Sequence, residues 1–217
     1  LVQIGIKMDK LADKLIRYAT AKQWHIDTRP GVPNIFYIEG SNADGTPNAD
    51  KPDGWNDRRI VVVFDTFGKP WCSLNGAATT EPGVSSTNSK AAQKLGGVAR
   101  IQFGQFRVWR NGYHKGDKAH RALVQVLPLD VHRDFNRDGK RTGDKIGPAT
   151  GINQHGTRPG INSKKVGGYS AGCLVGQYWA THLDFMDIMD SHPDYIADKN
   201  YLYYTAVING DEFGKFK

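Results

Sequence analysis

One cysteine of the two in this 217-residue chain, Cys173, closes the glycine-rich run GINQHGTRPGINSKKVGGYSAGC (151–173), and His155 stands in the same run. Cysteine attacks a carbonyl as its thiolate, so a nucleophilic cysteine needs surroundings that ease loss of its proton. A histidine nearby removes that proton and later returns it to the leaving group. Cys173 follows Ser170, Ala171 and Gly172 and precedes a helix-like run, which places it at or just before a helix N-terminus, where the dipole favours a thiolate. Gly172 would let the main chain come close to a substrate carbonyl. The N–H groups of Gly172 and Cys173 would then hold an oxyanion, and Ser170 would orient the base or donate a hydrogen bond. The plainer alternative is a packed cysteine and a solvated histidine.

Other residues invite the same question. Cys72, in GKPWCSLNG, reads as a small buried hydrophobe, and one Cys72–Cys173 bridge is the alternative if their backbones approach. His114 and His120 flank KGDKA and fit either a groove wall or a surface turn. His182 and His192, on or after the late helix, read as surface residues. Asp134, Asn136, Asp138 and Gly139 match the first half of a calcium loop, but Lys145 stands where a bidentate Glu belongs. Asp, Asn and Gly equally favour tight turns, and a polar β-turn is the preferred reading; no metal or other cofactor is expected.

These residues must be positioned by a mainly β, α+β framework. Residues 6–24 form an amphipathic helix through Met8, Leu11, Leu15, Tyr18 and Ala19, stopped by Pro30 and Gly31. Strand-like runs occupy 34–40, 59–65, 99–112, 121–134 and 201–209, with a long polar loop after the first and a soft stretch at 84–97. A helix follows Cys173, with Trp179, Leu183, Met186 and Met189 on one face. The expected organisation is an N-terminal helical appendage (1–30) and a domain over 31–217.

Apolar content of 39% suffices for a core, and the formal net charge of +7 favours anionic partners. The cations are scattered, and no zinc-finger spacing or RNP motif occurs, so no nucleic-acid partner is expected. No apolar run is long enough for a membrane span. The first residues lack signal-peptide order; the chain starts without Met, so a leader is compatible with the sequence.

HGT followed by YSAGC resembles the paired motif of the L,D-transpeptidase catalytic-domain family (YkuD type): His-Gly, a spacer, then Ser/Thr-His-Gly-Cys. TTEPG (79–83) is distantly similar to that family's Thr-Pro-x-Gly segment. HRDFNRDG (132–139) is similar to a stretch in a divergent branch with SAGC. The resemblance covers roughly residues 34–209. It implies a β-sandwich with a helix after the cysteine. It also implies Cys173 as nucleophile, His155 as base, and attack on an L,D peptide bond of a peptidoglycan stem peptide through a thioester. Peptidoglycan as partner and a periplasmic, extracellular or cell-wall location follow, or the cytoplasm for a phage lysin before release. Ala171 and Val175 depart from the family's His and Asn/Arg. Tyr169, Gly156, Arg158, His114 and His120 are then candidates for substrate binding, with Lys164 and Lys165 further loop cations. Two alternatives are a degenerate wall-binding module and a phage or toxin-type wall hydrolase with the same chemistry.

Overall fold

The computed structural model describes residues 9–217; residues 1–8, including Met8 of the expected helix, lie outside the described residues. Helix α1 (Lys10–Ala21) begins where the Asp9 carboxylate accepts the N–H groups of Leu11 and Ala12 at 3.1 Å each. Its other oxygen accepts the Cys72 N–H at 2.8 Å, tying the helix start to the sheet. The helix ends well before Pro30, because Gln23 takes a left-handed backbone (φ 58°) and the Trp24 N–H returns to the Ala19 carbonyl.

Eight strands close into a barrel: β1 (Asn34–Glu39), β2 (Asp57–Phe64), β3 (Pro70–Thr79), β5 (Gly104–Tyr113), β6 (Arg121–Gln125), β9 (Gln154–Gly156), β10 (Leu174–Gly176) and β11 (Tyr203–Asn209). The order is β1-β11-β5-β6-β9-β10-β3-β2, with β1–β11 and β9–β10 parallel and the other pairs antiparallel. A separate sheet, β4-β7-β8, contains β4 (Val98–Ile101), β7 (Leu129–Asp134) and β8 (Lys145–Ala149). The protein is therefore mainly β with α+β character, and its large sheet closes on itself instead of remaining the face of a two-sheet sandwich. The parallel β1–β11 pairing does this, joining Ile35 to Thr205 and Ile38 to Ile208.

Two apolar layers follow from strand parity. Ile35, Tyr37, Val61, Val63, Leu74, Trp109, Leu123, Leu174, Tyr203 and Val207 form one core with Phe185, Met186 and Met189 of α4 (Trp179–Asp190). The opposite parity of β1, β2 and β11 (Phe36, Ile38, Ile60, Val62, Ala206, Ile208) packs against α1 and Phe213 of α6 (Gly210–Lys215). β1 is buried along its whole length, which explains its continuous apolar run. Helix α1 thus shares a core layer with three barrel strands.

The soft stretch forms two short helices, α2 (Val84–Thr87) and α3 (Lys90–Lys94), and α5 (Pro193–Ala197) follows α4. Among the described residues no helix is long and apolar enough to cross a membrane.

Candidate active site

The site lies where β9 and β10 run side by side. Their parallel register pairs Gln154 with Leu174, His155 with Val175 and Gly156 with Gly176. The Leu174 N–H donates to the Asn153 carbonyl at 3.0 Å, so Cys173 stands beside Asn153 at the start of the ladder. His155 and Cys173 are therefore diagonal neighbours on adjacent strands, about 8 Å apart at Cα by strand spacing and rise.

Cys173 does not sit at a helix N-terminus. It leads into β10, and α4 starts only at Trp179; the thiol gains nothing from that dipole. Its sulfur is half-buried, accepts the Asn153 N–H at 3.4 Å and donates to the Gly151 carbonyl at 3.7 Å. Burial pushes the thiol pKa up, against the Asn153 N–H and the Lys115 charge, which pull it down. The two cysteines are both free. Cys72 is half-buried on β3, its thiol pushed up to about 12 by burial and the neighbouring Asp9 carboxylate.

His155 is 2% exposed. Its Nδ1 lies 2.7 Å from the Gly156 carbonyl oxygen. A carbonyl only accepts, so Nδ1 carries the proton and Nε2 presents a lone pair. That Nε2 is buried without a hydrogen-bond partner among the described residues. Burial, then the neighbouring His114, hold the His155 pKa well below the usual value, although the Gly156 carbonyl favours the charged form. At rest the thiol, at the start of β10, and the imidazole, on β9, are thus both neutral.

His114 and His120, which also fit a surface turn by sequence, are both buried against His155. The β5–β6 connection, a short 3-10 turn at His114–Gly116, brings them there. The His114 ring stacks on His155 at 3.9 Å, and His120 meets it edge-on at 5.4 Å. Asn153 Oδ1 accepts the Gln125 N–H, which orients its amide to donate to His114 Nδ1 at 3.2 Å. Burial and the charges of His120 and Lys115 push the His114 pKa down to about 4.

His182 and His192 are likewise buried, at 0% and 2% exposure, not on the surface. His182 donates from Nε2 to the Arg121 carbonyl at 2.7 Å and accepts from Arg59 at Nδ1. His192 caps α5 by accepting the Asp194 N–H. Each sits where its helix meets the packed interior, which spacing alone did not reveal.

The remaining candidates separate into supports and outliers. The Gly156 carbonyl accepts from His155 Nδ1, and a side chain at Gly156 would meet His182 at 2.7 Å. Gly172 has φ 137°, and a Cβ there would meet the Ala99 carbonyl oxygen at 2.7 Å. Its close approach is thus to β4, and its N–H donates to Ser170 Oγ at 3.1 Å. Ser170 donates to the Cys173 carbonyl at 2.8 Å, bracing the turn instead of touching the base. Tyr169 lies against Trp55. Exposed Arg158 donates to Asp117 at 3.2 Å, linking its loop to the His114–His120 connection. Lys164 and Lys165 are exposed. A groove of about 240 Å³, lined by Ser85, Ala92, Leu95, Val98, Ala99 and Ala171 among others, borders the Ser170–Cys173 turn.

Asp134 ends β7, and Asn136, Asp138 and Gly139 lie in the β7–β8 connection. Asp134 accepts the Gly139 N–H, and Asp138 accepts both the Lys140 N–H and the Asn136 amide. These bonds close a turn on itself.

Two supports were missed from sequence. Arg59, 1% exposed, donates to Tyr37 Oη (2.5 Å), His182 Nδ1 (3.1 Å), the His155 carbonyl (2.8 Å) and the Leu174 carbonyl (3.3 Å). It staples β9 to β10 beneath His155 and Cys173. Arg59→Met should cost about 3 kcal/mol or more, because four buried acceptors lose their donor; urea unfolding measures it, and a loss under about 0.5 kcal/mol would contradict the staple. The second support is a buried ionic cluster. Glu39 receives both Arg141 guanidinium nitrogens, Glu81 pairs with Arg100, and Asp57 accepts the N–H groups of Gly40 and Thr80. Burial pushes the Glu39 carboxyl up, but Arg141, Arg100 and Thr80 outweigh it and hold it low. Glu39, Asp50 and Glu81 form the single metal-compatible carboxylate group among the described residues, and the two arginines already pair with Glu39 and Glu81. This cluster anchors the TTEPG segment, whose Gly83 N–H donates to the Ser170 carbonyl at 3.0 Å.

Comparison of the chain with protein-family models, curated proteins and solved structures finds no match.

Proposed function

We propose that the protein is a cysteine acyl-transfer enzyme that acts on peptidoglycan, with the L,D-transpeptidase-like domain that the HGT and YSAGC motifs imply. The observation that carries this reading is the buried, unpartnered Nε2 of His155, its tautomer set by Gly156, one strand away from Cys173. His120 and His132 also bury an unpartnered ring nitrogen, but His155 alone does so on the strand paired with that of Cys173.

In this mechanism substrate entry displaces the thiol from the Gly151 carbonyl. His155 Nε2 takes the thiol proton as sulfur attacks the carbonyl carbon of an L,D peptide bond. The tetrahedral oxyanion is held by the Cys173 N–H, since the Gly172 N–H is engaged by Ser170. Collapse breaks the C–N bond, the imidazolium gives its proton to the leaving amine, and a thioester remains. An amine acceptor completes transfer; water completes hydrolysis. No cofactor enters these steps.

Because the thiol is raised and the base lowered, proton transfer accompanies attack instead of preceding it. Iodoacetamide alkylation of Cys173 should therefore climb with pH, with a midpoint above the ordinary thiol value of 9.0. A plateau at pH 5–6 would instead show a preformed ion pair.

One observation favours a second reading, a wall-binding module without turnover: the thiol bonds to Gly151 and not to His155. A carbapenem, an acylating probe, separates the two when followed by intact mass. One adduct mapped to Cys173 supports the enzyme; sacculus binding with no adduct supports the module. A wall-degrading lysin or toxin would share the adduct and differ in releasing cleaved wall.

A further inference from the structure

We propose that His120 is a positioning residue for the base, a role that rests on reading His155 as that base. The Gly156 carbonyl accepts two imidazole donors, His155 Nδ1 at 2.7 Å and His120 Nε2 at 3.1 Å. That carbonyl alone decides which nitrogen of His155 carries the proton. Its peptide plane is set on one side by Gly156, which cannot bear a side chain against His182. On the other side it is set by the Thr157 N–H, which donates to the Gly176 carbonyl at 3.2 Å, and by His120.

His120 has the means to hold that geometry. It is 4% exposed, and its ring packs edge-on against Trp179 at 5.1 Å and against His155 at 5.4 Å. Its backbone closes the connection: the His114 N–H donates to the His120 carbonyl at 2.8 Å, and the His120 N–H donates to the Asp117 carbonyl at 2.8 Å. Since Nε2 donates to Gly156, Nδ1 is the unprotonated nitrogen, and it is buried with no partner among the described residues. The ring is thus used for its one N–H. With that N–H removed, the Gly156 peptide keeps only the Thr157 bond to Gly176, so its carbonyl can tilt away from His155 Nδ1 and loosen the hold that keeps the lone pair on Nε2.

The test compares three variants of the full chain. His120→Phe keeps a ring and removes the donor. His120→Gln places an amide N–H near the original Nε2. His120→Asn is polar but too short to reach Gly156, and it replaces the Phe variant should that one fail to fold. Imidazole nitrogen NMR reads the His155 tautomer without any turnover, so the result stands even if no acyl transfer exists. Acylation of Cys173 by the carbapenem at pH 7.5, followed by intact mass, supplies the chemical readout. The expected result is a single Nδ1–H tautomer in the wild type and in His120→Gln. The donor-less variant should show a tautomer mixture, with acylation slowed about tenfold or more, as for a misplaced catalytic group. Unchanged tautomer and rate in a folded donor-less variant would overturn the proposal, as would failure of Gln to restore either.

Discussion

Replacing His155 with Gln should slow acyl transfer to Cys173 by about 10²–10⁴-fold, the range that a positioned general base contributes. The effect should be large because, of the buried histidines, His155 alone stands on a strand paired with β10, whereas the free Nδ1 of His120 belongs to the β5–β6 connection. His114 Nδ1 already accepts from Asn153, His120 Nε2 already donates to Gly156, and His182 is engaged at both nitrogens. Lys115, the cation that eases thiol ionisation, is no acceptor while charged. Glutamine at 155 can still reach the Gly156 carbonyl through its amide, so the strand pairing should survive and the loss should fall on kcat. Single-turnover acylation kinetics at pH 7–8 measure it. A loss under about threefold would remove His155 from the mechanism.

The second large effect is on stability and its pH dependence. Burial, then the charges of Glu39 and Asp50, push the Asp57 carboxyl up to about 8 from 3.8. Below the lower value both folded and unfolded chains hold the proton. Between 3.8 and about 8 the unfolded chain releases a proton that the folded chain keeps. Stability therefore falls as pH rises through this window, by about 1.4 kcal/mol per pH unit for one proton. Above it both forms are ionised and the slope vanishes. Asp57→Asn cannot titrate. It should show a constant loss, because its amide cannot accept from both Gly40 and Thr80, and it should lack this slope. Urea unfolding at pH 5 and pH 7.5 should give a wild-type decline steeper than the variant's by roughly 3 kcal/mol. Parallel slopes would show that Asp57 is ionised in the folded protein.

The elements that carry strong periodicity were legible in the sequence. Helix α1 and strands β1, β2 and β11 fall within a few residues of the runs that announce them. Barrel closure was not, because it depends on pairing Ile35 with Thr205, far apart in sequence. Two long runs each break into separate strands. Residues 99–112 supply β4 and β5, and 121–134 supply β6 and β7, each pair divided between the barrel and the small sheet. No hydrophobic pattern marks such a change of sheet.

At the site, the run containing His155 and Cys173 was legible by residue type. The role of its neighbours was not. His114 and His120 reach His155 only through the fold of the β5–β6 connection. The placement of Cys173 before a strand was hidden, because three residues, Leu174–Gly176, suffice to pair β10 with both β9 and β3. For the inner supports a signal did exist. Asp57 and Arg59 share the parity of Val61 and Val63, and Glu39 shares that of Ile35 and Tyr37, so period-two alternation turns all three charges inward.

The account is tested most directly by incubating purified muropeptides with the wild type and with Cys173→Ala, and identifying the products by mass spectrometry. The prediction is that the wild type removes the terminal D-residue, cleaves a cross-link or joins the stem to an amine, and that Cys173→Ala does none of these. Products from the Cys173→Ala protein, or none from the wild type, would contradict it.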